Sequence, residues 1–105
     1  MKCNDFSLKV FVEDTDFQGF VYHANYLKYF ERARTQFLID NQISQLNADG
    51  FFVIKNINIT YSFPARLEEN LLVKTDVQLK TKARMIFNQT LENINSKKIY
   101  CEATI

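Results

Sequence analysis

Tyr26-Leu27-Lys28-Tyr29-Phe30-Glu31-Arg32-Ala33-Arg34-Thr35-Gln36-Phe37-Leu38 is the stretch that decides the architecture. Tyr26, Phe30, Ala33 and Phe37 recur at helical spacing, and Leu27 and Leu38 widen the stripe. Lys28, Glu31, Arg32, Thr35 and Gln36 fall elsewhere. A long helix is predicted, ending near Asp40 to Asn41, with a face rich in rings that presses onto a sheet. Glu31 and Arg34, at i and i+3, read as a pair on its surface.

The flanks supply the sheet. Upstream, Phe6, Leu8, Val10 and Val12 alternate with Ser7, Lys9 and Glu13, with Phe11 as the exception, which predicts a strand. Asp14 to His23 breaks the alternation and reads as a loop. Downstream, a loop with Gly50 precedes strand-like sequence from Phe51 onward. Ile57, Ile59, Tyr61 and Phe63 alternate until Pro64 closes the run. Val73, Thr75, Val77 and Leu79 form another run, and Met85, Phe87 and Leu91 a third. Asn93 to Ser96 is a polar turn before Ile99, Cys101, Ala103 and Ile105. Strand, helix and four strands joined by short turns predict an α+β layer arrangement, an antiparallel sheet with the helix on one face.

The whole chain fits one domain of 105 residues, 1–105, with 47% hydrophobic and 24% charged residues. Ten Phe and five Tyr can fill the core of a single helix lying on a sheet. Net charge is +1, without a basic block, so no nucleic-acid partner is expected. The longest apolar run, Phe51 to Ile54, is too short for a membrane span or a secretory signal. Cys3 and Cys101 lack a disulfide spacing framework and read as reduced, structural thiols, which favours a cytoplasmic setting.

The chemistry concentrates in Glu13-Asp14-Thr15-Asp16-Phe17-Gln18-Gly19-Phe20-Val21-Tyr22-His23-Ala24-Asn25-Tyr26. It is a carboxylate-bearing loop, a glycine that permits a tight backbone, and a helix start. The helix N-terminus offers unpaired amides and partial positive charge. Such donors can hold a developing oxyanion while a nearby carboxylate attacks a carbonyl or activates a water. Together they suffice for acyl transfer on a thioester, whose thiolate leaves readily. No metal and no separate cofactor is expected, coenzyme A being part of the substrate and product.

This run, followed by Phe30-Glu31-Arg32-Ala33-Arg34, closely resembles the YbgC-type branch of the 4-hydroxybenzoyl-CoA thioesterase family. Tyr61-Ser62-Phe63-Pro64-Ala65-Arg66-Leu67 resembles that family's second signature. The resemblance implies a hotdog fold, a curved antiparallel sheet of about five strands wrapped around one long central helix. It implies an acyl-CoA thioesterase in which Asp16 is catalytic and His23 marks the helix-start amides that polarise the thioester carbonyl. Tyr22 would border the pocket with His23, and Gly19 would shape the loop against the substrate. Asp14 reads as structural, through bonds to loop amides, and Glu31 keeps a minor claim to catalysis because some other hotdog branches use a helix Glu. The implied assembly is a homodimer or homotetramer with sites at the seam between subunits.

If its strand continues unbulged, Lys80, Lys82 and Arg84 share one face and can grip the phosphates of coenzyme A. Family members usually continue past the position of Ile105, so the chain is expected to lack the family's usual C-terminal end. A non-catalytic hotdog module binding acyl-CoA or acyl carrier protein is the competing reading, and a hotdog dehydratase a third whose His and carboxylate arrangement is not found.

Overall fold

In the computed structural model, which describes residues 5–42, 54–81 and 84–105, the aromatic stripe folds as one helix, α1 (Asn25–Asp40). Strand β1 (Phe6–Lys9) precedes it, and β2 (Asn58–Tyr61), β3 (Asn70–Thr81), β4 (Arg84–Asn93) and β5 (Ile99–Thr104) follow. They form one antiparallel sheet in the order β1-β3-β4-β5-β2. Helix and sheet together are the expected hotdog arrangement.

The core lies where α1 meets the sheet. Tyr26, Tyr29, Phe30 and Ala33 pack in one cluster with Val10, Leu71, Val73, Leu91, Cys101 and Ala103. Phe37 and Leu38 pack in a second with Val77 and Phe87, where the Phe37 and Phe87 rings meet edge to face at 5.6 Å. Full burial of each large side chain stabilises the fold by roughly 1.5–3 kcal/mol. The spacing-derived stripe is therefore the buried face of the helix. Leu27 sits at its margin, half-buried.

Arg34 corrects the expected surface pair. It is buried, and its Nη1 donates to Gln89 Oε1 at 3.0 Å. Gln89 Nε2 in turn donates to Phe30 O and to Thr75 Oγ1, both at 3.1 Å. This polar chain ties the helix to β3 and β4, and burial lowers the Arg34 pKa. The spacing signal was present: Arg34 lies four residues after Phe30 and three before Phe37, on the apolar stripe.

Three strand expectations are also revised. β1 stops at Lys9, and Val12, expected inward, is 72% exposed. The cause is Asp14, whose side chain accepts the Phe11 amide at 3.1 Å and draws Val12–Asp14 into a 3-10 turn. In the run that Pro64 closes, Ile59 packs against the core, while Ile57, Tyr61 and Phe63 are exposed on or beside an edge strand. The run of Val73, Thr75, Val77 and Leu79 ends at Thr81, which pairs with Arg84 across an irregularity between Leu79 and Thr81. No single unbulged strand therefore carries Lys80, Lys82 and Arg84. Lys82 lies outside the described residues, as do Cys3, Gly50 and the stretch Phe51 to Val53.

Asn93 Oδ1 accepts the amides of Asn95 and Ser96 at 2.9 and 3.0 Å, which makes the expected polar turn. Among the described residues no helix is long and apolar enough to cross a membrane.

Candidate active site

The loop between β1 and α1 is a narrow hairpin with Asp16 near its tip. The Asp16 amide donates to Phe20 O at 2.8 Å, and Thr15 bridges Val21. The Tyr22 amide closes the neck on Asp14 O at 3.0 Å. Asp16 Oδ1 accepts the amides of Gln18 at 2.9 Å and Phe20 at 3.2 Å, a local Asx-type turn. Gly19 adopts φ +83°, which a residue with a Cβ rarely takes, although the space around it is open. Its role is the backbone of this turn.

Asp16 is exposed, and no described residue donates to its Oδ2. One carboxylate oxygen is thus tied to the loop, and no described donor meets the other. Phe17, next to it, is 99% exposed.

The helix start lies at the other end of the same loop. Ala24, the cap residue, has helical angles of φ −67° and ψ −23° and contributes no side-chain cap. The Asn25 amide turns back to Tyr22 O at 2.8 Å, and Asn25 Nδ2 donates to Asp14 O at 2.9 Å. His23 is exposed, with its ring 4.4 Å from that of Tyr22 and 6.5 Å from that of Tyr61. Tyr61 Oη donates to His23 O at 3.1 Å. The Tyr22 and His23 rings are therefore neighbours. Asp16 and His23 share the loop without a direct hydrogen bond between them.

The two signature segments meet here. Val21 N donates to Ala65 O at 2.9 Å, and Leu67 N to Gly19 O at 2.9 Å. The buried Tyr26 Oη accepts the Ala65 amide at 2.9 Å, and the Arg66 guanidinium lies 5.2 Å over the Phe20 ring. Glu69 holds the same corner: its Oε1 accepts the Arg66 amide at 3.0 Å, and its Oε2 accepts Asn93 Nδ2 and the Tyr100 hydroxyl. Burial pushes the phenols of Tyr26 and Tyr100 above their ordinary range, and for Tyr100 the bond to Glu69 adds to it.

Sequence reasoning gave Asp14 only loop amides, and Tyr29 no role. Asp14 is buried, and Tyr29 is fully buried beneath it with a raised phenol pKa, owing to burial and then to the Asp14 carboxylate. Glu31 is exposed on α1. Cys101 is a buried free thiol pushed up to about 12 by burial, in keeping with a structural role.

Lys80 stands apart from this site. The loop leaves the sheet where Lys9 pairs with Asn70, and Lys80 is ten residues further along β3. At about 3.3 Å per residue that is roughly 33 Å. A trough of about 520 Å³ between Lys74, Asp76, Asn88 and Glu102 contains none of the expected site residues.

Comparison with known proteins agrees with the fold and with the family resemblance. A family model described as the thioesterase-like superfamily matches residues 10–105. The acyl-CoA thioesterase YbgC of Helicobacter pylori is 39% identical over 93 residues, which span 89% of this chain and 64% of that protein. Its counterpart in Haemophilus influenzae is 40% identical over 90 residues, spanning 82% and 66%. The chain thus spans just under two thirds of the length of these curated relatives. Among solved structures, a probable thioesterase from Bartonella henselae superposes with a TM-score of 0.84 at 35% identity, covering 98% of this chain and 87% of that one. A 1,4-dihydroxy-2-naphthoyl-CoA thioesterase from Synechocystis gives 0.88 at 20% identity, covering 95% and 76%, a likeness of fold.

Proposed function

We propose that this chain, which belongs to the thioesterase-like superfamily, hydrolyses an acyl-CoA thioester to a free acid and coenzyme A. The observation that carries the reading is Asp16, with Oδ1 anchored by two loop amides and Oδ2 met by no donor among the described residues, on a hairpin laced to an uncapped helix start. Either of two routes balances. Asp16 attacks the thioester carbonyl, expels the thiolate and leaves a mixed anhydride for water to open. Alternatively, Asp16 takes a proton from water, which attacks directly. In both, the amides near His23 act as oxyanion donors, a contribution commonly worth about 10²–10³ in turnover per donor.

Tyr22 and His23 border the acyl end, and Gly19 keeps the backbone of the turn tight. The acyl-CoA thioesterases among the relatives support the substrate class. An acyl carrier protein offers the same thioester on a pantetheine arm and is the second substrate to assay. Thiol release from a panel of acyl-CoAs tests the reading. Tight binding without any release would instead identify a binding module.

The working unit is a homodimer or homotetramer. Exposed Phe11, Phe17, Tyr22, Tyr61 and Phe63 lie in or beside the two segments that build the site, and β1 and β2 are open sheet edges. Because Lys80 is a sheet length from Asp16 of its own copy, we assign the coenzyme A phosphates at each site to Lys80, Lys82 and Arg84 of another copy. Light scattering should give at least twice the chain mass. A fully active monomer would contradict the assembly.

A further inference from the structure

Two amides at the start of α1 are held from behind, through the carbonyls of their own peptides. In the Tyr22–His23 peptide the carbonyl accepts the Asn25 amide at 2.8 Å. In the His23–Ala24 peptide the carbonyl accepts the Tyr61 hydroxyl at 3.1 Å. Both peptides are trans and planar, so the N–H of each points away from its C=O. Each bond therefore also sets the direction of an amide, that of His23 in the first peptide and that of Ala24 in the second. Among the described residues neither amide has an acceptor of its own.

The two carbonyls differ in what holds them. Asn25 belongs to the same turn, whereas Tyr61 comes from the edge strand β2, 38 residues along the chain. Tyr61 is in step with Ile59, which packs against the core, so its side chain leaves β2 on the helix side. Its ring meets Tyr26 at 5.5 Å and His23 at 6.5 Å, both in edge-type geometry. The chain just after it is anchored, because Tyr100 O takes the amides of Ser62 at 2.8 Å and Phe63 at 3.1 Å. The His23 carbonyl precedes the cap residue Ala24 and lies outside the helical ladder, so the helix itself does not hold it. A donor on that carbonyl also polarises the amide of the same peptide and strengthens it as a donor.

We propose that Tyr61 is a positioning residue for oxyanion stabilisation: its hydroxyl holds the His23 carbonyl so that the Ala24 amide, next to that of His23, faces the oxygen of the thioester carbonyl. Tyr61 acts through the peptide and does not touch the substrate. The inference rests on the thioesterase reading and names the support of one of its donors. The carbonyl oxygen carries little charge before the reaction and most as the oxyanion forms, so the contribution belongs to kcat.

The test compares Tyr61→Phe with the parent in steady-state acyl-CoA hydrolysis and thermal unfolding. It adds infrared spectra of a bound acyl-CoA carrying carbon-13 at the thioester carbonyl, taken in Asp16→Asn with and without Tyr61→Phe so that the thioester survives. Phenylalanine keeps the ring contacts, and water can reach the exposed His23 carbonyl, so the Tm should stay close to parental. Losing an oxyanion donor outright costs about 10²–10³ in turnover, and a donor that is only released from its support costs less. The kcat should therefore fall about tenfold with little change in KM. The carbonyl stretch should lie lower in the bound acyl-CoA than in the free one, and adding Tyr61→Phe should shrink that shift. Parental kcat in Tyr61→Phe, or a carbonyl shift that Tyr61→Phe leaves unchanged, would overturn the proposal. A parent that binds acyl-CoA and releases no thiol overturns the thioesterase reading instead. The carbonyl shift in parent and Tyr61→Phe then decides the inference, equal shifts rejecting it and a smaller shift in the variant supporting it. Failure of the parent to bind any acyl-CoA overturns both.

Discussion

Tyr26→Phe should destabilise the protein and slow it through one lost atom. Tyr26 Oη accepts the Ala65 amide at 2.9 Å, and both residues are buried, Ala65 completely. Phenylalanine keeps the ring and its packing on Tyr29 and Tyr61, at 6.2 and 5.5 Å between centroids. What changes is that a buried N–H loses its acceptor and is shut away from water. That penalty is about 1–3 kcal/mol. For a domain near this size, each kcal/mol lowers Tm by roughly 4–8 °C. The effect should reach the site, because Ala65 O holds the Val21 amide at 2.9 Å and Val21 closes the Asp16 hairpin. Denaturant unfolding at matched protein concentration measures the loss, and amide exchange at Ala65 locates it. If Tyr26→Phe unfolds at the parental midpoint with Ala65 equally protected, the helix start is not tied to the second signature by this bond.

Two other outcomes follow from named groups. Stability should fall as pH rises above about 9. Burial lifts the Cys101 thiol from 9.0 to about 12, so between those values the unfolded chain gives up a proton that the folded chain keeps. The raised phenols of Tyr26 and Tyr29 add to the slope above pH 10, and Cys101→Ala should flatten its first part in urea midpoints taken across that range. Replacing Lys80, Lys82 and Arg84 together by Ala should raise KM for acyl-CoA at near-parental kcat, and matter much less for a substrate that ends at pantetheine. An unchanged KM for both would place the nucleotide on other cations.

The helix and the Asp16 loop were legible because their signals are local. The stripe from Tyr26 to Phe37 repeats at helical spacing, and the Asp16 run carries a long motif beside a helix start. Arg34 was misread because its residue type suggested the surface, while its position between Phe30 and Phe37 marked the interior. Asp14 and Tyr29 gave no local sign of their juxtaposition. It depends on how the 3-10 turn packs under α1, a contact between separate elements. The three cations misled for a related reason: alternation alone does not reveal where a strand turns back, and the β3–β4 hairpin falls inside that run. β1 was read too long because alternation continued through Val12, whereas the Asp14 side chain had already taken the backbone out of the sheet.

The central proposal is that the Asp16 carboxylate carries out thioester cleavage, and Asp16→Asn tests it most directly. Asn retains an Oδ1 that can accept the Gln18 and Phe20 amides, so the turn and the Tm should be preserved. The amide replacing the other oxygen can neither attack a carbonyl nor take a proton from water. The kcat for the best acyl-CoA should fall by more than about 100-fold. Hydrolysis by folded Asp16→Asn at the parental rate would contradict the account.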